Sequence, residues 1–106
     1  MRTSRIGDFK AGWFIGDFEP TLLKTPAFEV AHHFYKKGFV GTPHVHKVAT
    51  EYNYIVSGGL VASGKVLGPG EMFIYDPGEV ADVSFLEDTN LIIIKTPSLP
   101  GDKYEA

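Results

Sequence analysis

Short runs of strand character, separated by glycine and proline turns, constrain the fold of this chain more than any other feature of its sequence. The runs cover residues 28–36, 50–57, 60–62, 65–67, 72–75, 80–86 and 91–96. Turn signals stand between them at Gly58-Gly59, Ser63-Gly64, Gly68-Pro69-Gly70 and Asp76-Pro77-Gly78. Short strands with frequent, regularly spaced turns are typical of an all-β sandwich or barrel, so we predict that fold class.

The length of the chain fits one domain. Its 106 residues include no cysteine, and a chain of this size can bury a single core without disulfides. We expect one domain over residues 1–106, with a barrel core at about 27–96, a polar N-terminal segment and an extended C-terminal tail. Pro97, Pro100 and Gly101 favour the extended tail because they interrupt regular structure.

Charge and hydropathy exclude several classes of function. The formal net charge is −3 at pH 7, so the chain lacks the basic field that nucleic-acid binding requires. No apolar run approaches the roughly 18 residues of a transmembrane helix, and the first residues show no signal-peptide pattern. The absence of cysteine fits a reducing compartment. We therefore expect a cytoplasmic protein with no nucleic-acid or membrane partner.

Three side chains between residues 44 and 51 form a candidate metal site. His44 and His46 are two residues apart, so on a strand their imidazoles share one face. Glu51 begins the next predicted strand, and its carboxylate converges on the imidazoles if the two strands pair. Two imidazoles and one carboxylate are a donor set for Fe(II) or Zn that leaves positions open. Two surface histidines near an unrelated glutamate are the alternative interpretation of this spacing.

The glycines that flank these residues extend the pattern. The stretch reads Gly38-x5-His44-x-His46-x4-Glu51-x6-Gly58. It resembles the first signature motif of the cupin superfamily at every named position. The resemblance implies a small single-domain cupin, whose fold is a jelly-roll barrel, or double-stranded β-helix, with the metal inside. It also implies that His44, His46 and Glu51 bind a divalent transition metal such as Fe, Mn, Zn or Ni.

The second cupin motif is only partly present. Gly70 and Gly78 occupy its glycine positions, but Asp76, Ala81 and Phe85 stand where the motif has Pro, His and Asn. The resemblance implies a histidine ligand at position 81, and an alanine side chain cannot coordinate a metal. Whether the site holds a metal is therefore open at this point.

Three nearby residues are candidates to replace the missing histidine. Asp82 alternates with apolar neighbours that should face the barrel, which places its own side chain outside. Glu79 has the inward parity but belongs to a turn. His32 shares a face with apolar residues of its predicted strand and so could point into the core, as a pocket residue or as a buried, hydrogen-bonded histidine. His33 would then face solvent or an interface.

Two further residues are assigned to the pocket. Asn53 has the same strand parity as Glu51, so an inward Glu51 implies an inward Asn53. A buried amide must find a hydrogen-bond partner. It could orient a ligand, a metal-bound water or a ligating histidine, or it could bond to the backbone. Tyr75 could line the mouth of the barrel.

The last predicted strand favours a homodimer. Residues 91–94 are continuously apolar, which indicates that the strand is covered on both faces. The outer cover could come from the N-terminal segment, the tail or a second subunit. Tyr52 and Tyr54 lie on the face opposite Glu51 and are also expected to pack outside the sheet. The cupin resemblance favours a homodimer as well.

Three functions are compatible with these features. The first is a metal-dependent enzyme acting on a small polar substrate, either sugar-like or a carboxylate. The second is a non-catalytic cupin that binds a sugar or another small molecule. The third is a metal-free barrel that resembles sugar isomerases or epimerases and uses a histidine base and a tyrosine acid. The small-molecule partner is common to all three, and the sequence leaves the substrate and the reaction open.

Overall fold

A computed structural model describes all 106 residues, and its regular elements are almost entirely β-strands. Two 3-10 turns, Ile6–Asp8 and Lys10–Gly12, precede the first strand. The strands are β1 Trp13–Ile15, β2 Glu29–Tyr35, β3 His44–Val45, β4 Thr50–Ser57, β5 Leu60–Ala62, β6 Lys65–Leu67, β7 Met72–Tyr75, β8 Val83–Phe85, β9 Thr89–Thr96 and β10 Tyr104–Glu105. The prediction of an all-β fold is confirmed.

Two antiparallel layers form the barrel. One is a five-stranded sheet in the order β1-β2-β9-β4-β7. The other consists of a β6-β5-β8 sheet and a β10-β3 pair, which are joined by bridges between Val40 and Ser84 and between His44 and Ala81. Side chains from both layers meet in one core. Strands that are distant in sequence are neighbours in the two layers. Residues from most of the chain therefore line the interior of the barrel.

The register of the five-stranded sheet gives the interior a polar end and an apolar end. Cα partners define three successive inward rows, which are Glu29–Lys95–Glu51–Tyr75, Ala31–Ile93–Asn53–Phe73 and His33–Leu91–Ile55. Side chains alternate between the two faces of a strand, so each row lies on the barrel side of the sheet. The charged row closes one end, where the chemistry of the site is found.

The apolar end holds the hydrophobic core. Its seven buried members come from both layers and are Ile55, Leu60, Ala62, Leu67, Phe85, Leu91 and Ile93. Complete burial of a side chain such as Ile55 or Leu60 contributes about 1.5–3 kcal/mol to folding. Gly58 connects β4 to β5 with φ +97°, and a Cβ there would collide with the carbonyl oxygen of Asp88. Only glycine fits this turn, which explains the last glycine of the first motif.

Both ends of the chain are more ordered than the sequence suggested. The polar N-terminal segment leads into β1, which pairs with β2. The tail expected to be merely extended contains β10, whose Tyr104 and Glu105 pair with Val45 and His44. The two residues of β10 are too few to show an alternating pattern, and β1, unlike the three-residue β5 and β6, has no hairpin turn signal beside it.

The strand parity assigned to His32 and His33 is wrong. Glu29 and Ala31 are buried, whereas Phe34 is 51% exposed, so the odd-numbered residues of β2 face the barrel. His32 therefore lies on the outside and His33 on the inside. The error has a physical reason: the outer side of this strand is as apolar as its inner side, so the hydrophobic pattern could not identify the core face.

The exterior of the five-stranded sheet is apolar over most of its area. Even-numbered residues of four strands place large side chains there, each at least partly exposed, and we call them the outer sheet face: Phe34, Tyr52, Tyr54, Val56, Met72, Ile74 and Ile94. The two tyrosines lie opposite Glu51, as predicted. These side chains remain 38–69% exposed, and the N-terminal segment reaches only the edge of the face at Phe34, where Ile6 and Phe9 line a shared groove. The expected outer cover of β9 is therefore incomplete within the monomer.

Candidate metal centre

A cavity of about 340 Å³ opens at the polar end of the barrel. Half of its 18 lining residues are hydrophobic, and the rest include His44, His46, Glu51 and Asn53. A mostly apolar pocket with a few converging polar groups is the usual form of a small-molecule site. The volume lies at the lower end of the range for such sites, so the pocket suits a compact ligand.

The three residues of the predicted triad converge in this cavity. His44 lies in β3, His46 follows that strand, and Glu51 is the second residue of β4. One donor atom from each lies within 4.8 Å of the other two. The meeting of two imidazoles and one carboxylate inside the barrel is therefore observed, and such a group could hold a divalent metal.

Backbone carbonyls fix the orientation of both imidazoles. Nδ1 of His44 donates to the carbonyl oxygen of Thr42 at 3.1 Å, and Nδ1 of His46 donates to the carbonyl oxygen of Asp102. A carbonyl can only accept, so each Nδ1 carries the hydrogen. In a neutral imidazole this leaves the Nε2 lone pair free, which is the form that ligates metals.

His46 and Glu51 need a positive charge between them or on the imidazole. Nε2 of His46 lies 3.2 Å from Oε1 of Glu51. With Nδ1 already donating, a neutral imidazole would present a lone pair to the carboxylate. Without a metal, the pair forms when His46 is protonated, and the hydrogen bond to Glu51 raises the pKa of His46 despite its burial. A metal cation at this point would replace that proton.

Asn53 holds the second oxygen of Glu51. Its Nδ2 donates to Oε2 at 3.0 Å, and its side chain is almost completely buried. The inward orientation predicted for Asn53 is observed, and its partner is the carboxylate rather than the backbone. Burial raises the pKa of Glu51, but the hydrogen bonds from His46 and Asn53 outweigh this effect, so that the net pKa is lowered. The carboxylate is therefore ionised at neutral pH.

Asp102 anchors the loop between His46 and Glu51, a role that no sequence pattern predicted. Its carboxylate accepts hydrogen bonds from the backbone N–H groups of Lys47, Val48 and Ala49 at 2.9, 3.0 and 2.9 Å. Burial raises the pKa of Asp102, but these three bonds lower it further than burial raises it. The tail thus fastens the connection between His46 and Glu51 through an ionised side chain.

The structure provides no fourth protein ligand. Ala81 is buried directly opposite His44, and the two residues exchange both backbone hydrogen bonds. Glu79 caps a turn by accepting from the N–H of Asp76, and Asp82 is exposed, as the alternation predicted. His32 donates from Nε2 to Oδ1 of Asn90 on the outside of the sheet. The donor set consists of two imidazoles and one carboxylate, which suits a divalent transition metal with open positions.

Two pocket predictions require correction. Tyr75 does not line the cavity: it is buried beside it, and its Oη lies 2.8 Å from Oγ of Ser63. The histidine that lines the cavity is His33, not His32. Nδ1 of His33 lies 3.0 Å from Oη of Tyr35. Tyr35 stacks on the ring of Phe85 with centroids 4.3 Å apart. The cavity therefore has a histidine–tyrosine pair in its wall.

Two lysines also line the cavity and were not predicted. Lys95 pairs with Glu29 at 3.3 Å, and its Nζ lies 4.8 Å from the centre of the Trp13 ring. Lys103 follows Asp102 in the tail. A signal for Lys95 was present, since it shares the parity of the inward Leu91. No local pattern marks Lys103, which reaches the cavity only because the tail folds back.

Comparisons with known proteins identify the fold. A search of protein-family models and a search of curated proteins found no match. Among solved structures, a double-stranded β-helix protein from Klebsiella pneumoniae has TM-score 0.70 and 22% identity, covering 77% of this chain and 72% of that protein. The DMSP lyase DddQ from Ruegeria pomeroyi has TM-score 0.74 and 16% identity, covering 89% of this chain. This chain spans 49% of DddQ.

A third solved structure has the same fold. A protein with a cupin-like fold from Ralstonia eutropha has TM-score 0.65 and 13% identity, covering 89% of this chain and 60% of that one. The chain therefore has the cupin fold, a double-stranded β-helix, and the fold that the sequence resemblance implied is confirmed. None of its helices is long and apolar enough to cross a membrane. The cytoplasmic location stays a prediction.

Proposed function

We propose that this protein is a metal-dependent enzyme that acts on a small polar substrate, with His44, His46 and Glu51 as the protein ligands. The observation that carries the proposal is the approach of His46 Nε2 to Glu51 Oε1 at 3.2 Å. Because Nδ1 of His46 is bound to a carbonyl, this geometry requires a positive charge at Nε2. A divalent cation shared with His44 would meet that requirement without protonation of His46.

The rest of the cavity supports catalysis on a bound small molecule. When bound, such a metal would polarise a substrate oxygen or activate water or dioxygen. The chain would hold the ligands rigid, since the imidazoles are fixed by the carbonyls of Thr42 and Asp102 and the carboxylate by Asn53. The apolar part of the wall would exclude bulk water. DddQ, a lyase by name, shares this fold.

The His33–Tyr35 pair favours a second candidate function, metal-free acid–base catalysis. Burial lowers the pKa of His33 and raises the pKa of Tyr35. A neutral imidazole and a protonated phenol in hydrogen-bond contact are a possible base and acid. A non-catalytic cupin that binds a sugar-like or other small molecule is the third candidate. Metal content separates the first proposal from the other two.

Elemental analysis of protein purified without chelator tests the proposal. We expect a transition metal at close to one equivalent, lost in the His44→Ala/His46→Ala double variant. The control is His32→Ala, which removes an imidazole from the outside of the same barrel and should keep the metal. Absence of metal in the wild type, even after incubation with Fe(II), Mn, Zn or Ni salts, would refute the metal-dependent function. Thermal-shift screening of sugars and carboxylates would then distinguish the remaining two.

We also propose that the protein is a homodimer that buries the outer sheet face. This face presents seven large apolar or aromatic side chains and no charged one among them. Register places Tyr52 between Ile74 and Ile94, and Tyr54 next to Met72, whereas Phe34 lies opposite Asn90. Contiguous exposed apolar side chains of this kind mark an interaction surface. A second copy offers the same uncharged face and can meet it by two-fold symmetry.

Light scattering coupled to size-exclusion chromatography tests the dimer. Ile74→Lys places a charge within the outer sheet face, beside Tyr52, and should yield a monomer. Val66→Lys is the matched control, because Val66 is also apolar and exposed but lies in the opposite layer. A monomeric wild type, or a dimer that Ile74→Lys leaves intact, would exclude this interface.

A further inference from the structure

Lys103 occupies the mouth of the cavity without an ionic partner. It lines the metal-site cavity and also an adjoining groove formed in part by Leu99, Pro100 and Gly101. No carboxylate lies within 4.0 Å of its ammonium group, whereas Lys95, which also lines both spaces, is paired with Glu29. Its neighbour Asp102 is turned away, toward the backbone of the ligand loop. Lys103 is thus the cation of the cavity that is free to bind another group.

The charges of the cavity leave an excess that a neutral ligand would not satisfy. Glu51 balances only one of the two charges of a divalent metal. The charge of Lys95 is cancelled by Glu29 in a pair that is nearly buried. Lys103 adds one more positive charge with no counterpart. Lys103 is exposed, so solvent screens its charge, and its attraction for an anion is short-range and depends on ionic strength.

Lys103 shares one cavity with the histidines of the site. Its side chain is exposed, and His33, His44 and His46 line the same space. A ligand that contacts the proposed metal centre could reach Lys103 at the same time.

We propose that Lys103 recognises the carboxylate of a small organic acid while another oxygen of that acid lies at the His44–His46–Glu51 centre. This assignment of a substrate class rests on the proposed function for its second contact. A single lysine suits a carboxylate, since it supplies one point charge. No arginine lines the cavity, so a phosphate would lack the bidentate donor that favours its binding.

Calorimetric titration with paired probes tests this inference. Lactate is compared with propane-1,2-diol, and glucuronate with glucose, because each pair differs only in a carboxylate in place of a hydroxymethyl group. The Ni(II)-loaded wild type should bind at least one acid about tenfold more tightly than its neutral partner. Lys103→Met should remove about that factor for the acid and leave binding of the neutral partner unchanged. The preference should also weaken as ionic strength rises.

The control is Lys36→Met, which removes an exposed lysine far along the surface from the tail and should change neither affinity. Equal binding of acids and neutral partners, or an acid preference that survives Lys103→Met, would overturn the inference. A variant that loses both ligands would also overturn it, since that result indicates a structural role. The same titrations on metal-free protein separate this inference from the proposed function: the dependence on Lys103 should persist there, at lower affinity, even if no metal binds.

Discussion

Removing the Asp102 carboxylate should destabilise the protein and loosen the metal centre together. In Asp102→Ala the backbone N–H groups of Lys47, Val48 and Ala49 lose a charged acceptor. A hydrogen bond to a charged group contributes about 1.5–3 kcal/mol, but three bonds to one carboxylate are not additive. Lys47 and Val48 are exposed and can bond to water instead, whereas Ala49 is buried. We therefore expect the free energy of unfolding to fall by about 3 kcal/mol.

The conservative variant makes this prediction more specific. Asp102→Asn keeps one carbonyl oxygen as an acceptor and loses the charge, so it should lose about half as much stability. Both variants free the connection between His46 and Glu51, and metal affinity should fall on the order of tenfold or more. The variant that loses more stability should also lose more metal affinity, because Asp102 holds the loop that connects His46 to Glu51.

Urea denaturation of metal-free protein, followed by Trp13 fluorescence, measures the stability term, and calorimetric metal titration measures the affinity. Asp82→Ala is the matched control, since that carboxylate is exposed and makes no side-chain hydrogen bond. It should change stability by less than about 0.5 kcal/mol. If Asp102→Ala unfolds at the same urea concentration as Asp82→Ala, the anchoring role of the tail is refuted.

Two further predictions concern the interior. Burial lowers the pKa of His33 below 6.5. Below pH 6.5 the unfolded chain therefore binds more protons at this residue than the folded protein does. The free energy of unfolding should fall for this reason as pH falls through 6.5. Denaturation between about pH 7 and about pH 5 should show a smaller loss in His33→Phe, and equal slopes would contradict the assignment. Ala81→His should place an imidazole beside His44 and tighten metal binding on the order of tenfold; a calorimetric affinity equal to that of the wild type would contradict this.

The triad could be predicted because its information is local. His44, His46 and Glu51 lie within eight positions of one another, and strand parity sets which way each side chain points. The turns that deliver them depend on glycines, such as Gly78 with φ +86°, whose N–H bonds to the carbonyl of His46. A site whose residues are close together in sequence can therefore be predicted before the fold is known.

The buried side of β2 could not be predicted, because both sides of the strand carry apolar residues. Phe34 and the residues that flank it on the outside are as apolar as a core row, and the interior row contains Glu29 and His33. Strand alternation distinguishes two faces but does not say which one is buried. An apolar outer sheet face, together with polar residues inside the barrel, inverts the usual assignment.

The contributions of the tail are invisible in sequence because they depend on contacts between distant positions. Asp102 meets the ligand loop across more than fifty residues, and Lys103 reaches the cavity through the same fold-back. An aspartate beside a glycine and a proline is also what a solvated turn looks like. Asp102 reaches the ligand loop because β10 pairs with β3. That pairing involves only two residues on each strand, so no sequence pattern predicts it.

Ala81 determines what kind of centre this barrel can build. Because its backbone is paired with His44, a histidine there would lie against the other ligands and occupy a coordination position. Alanine leaves that space to the cavity, so more positions would stay open for a substrate. The loss is tolerable only if the remaining ligands are already held in place. The carbonyls of Thr42 and Asp102 and the amide of Asn53 supply that restraint, which reduces the entropy that a metal would otherwise have to overcome on binding.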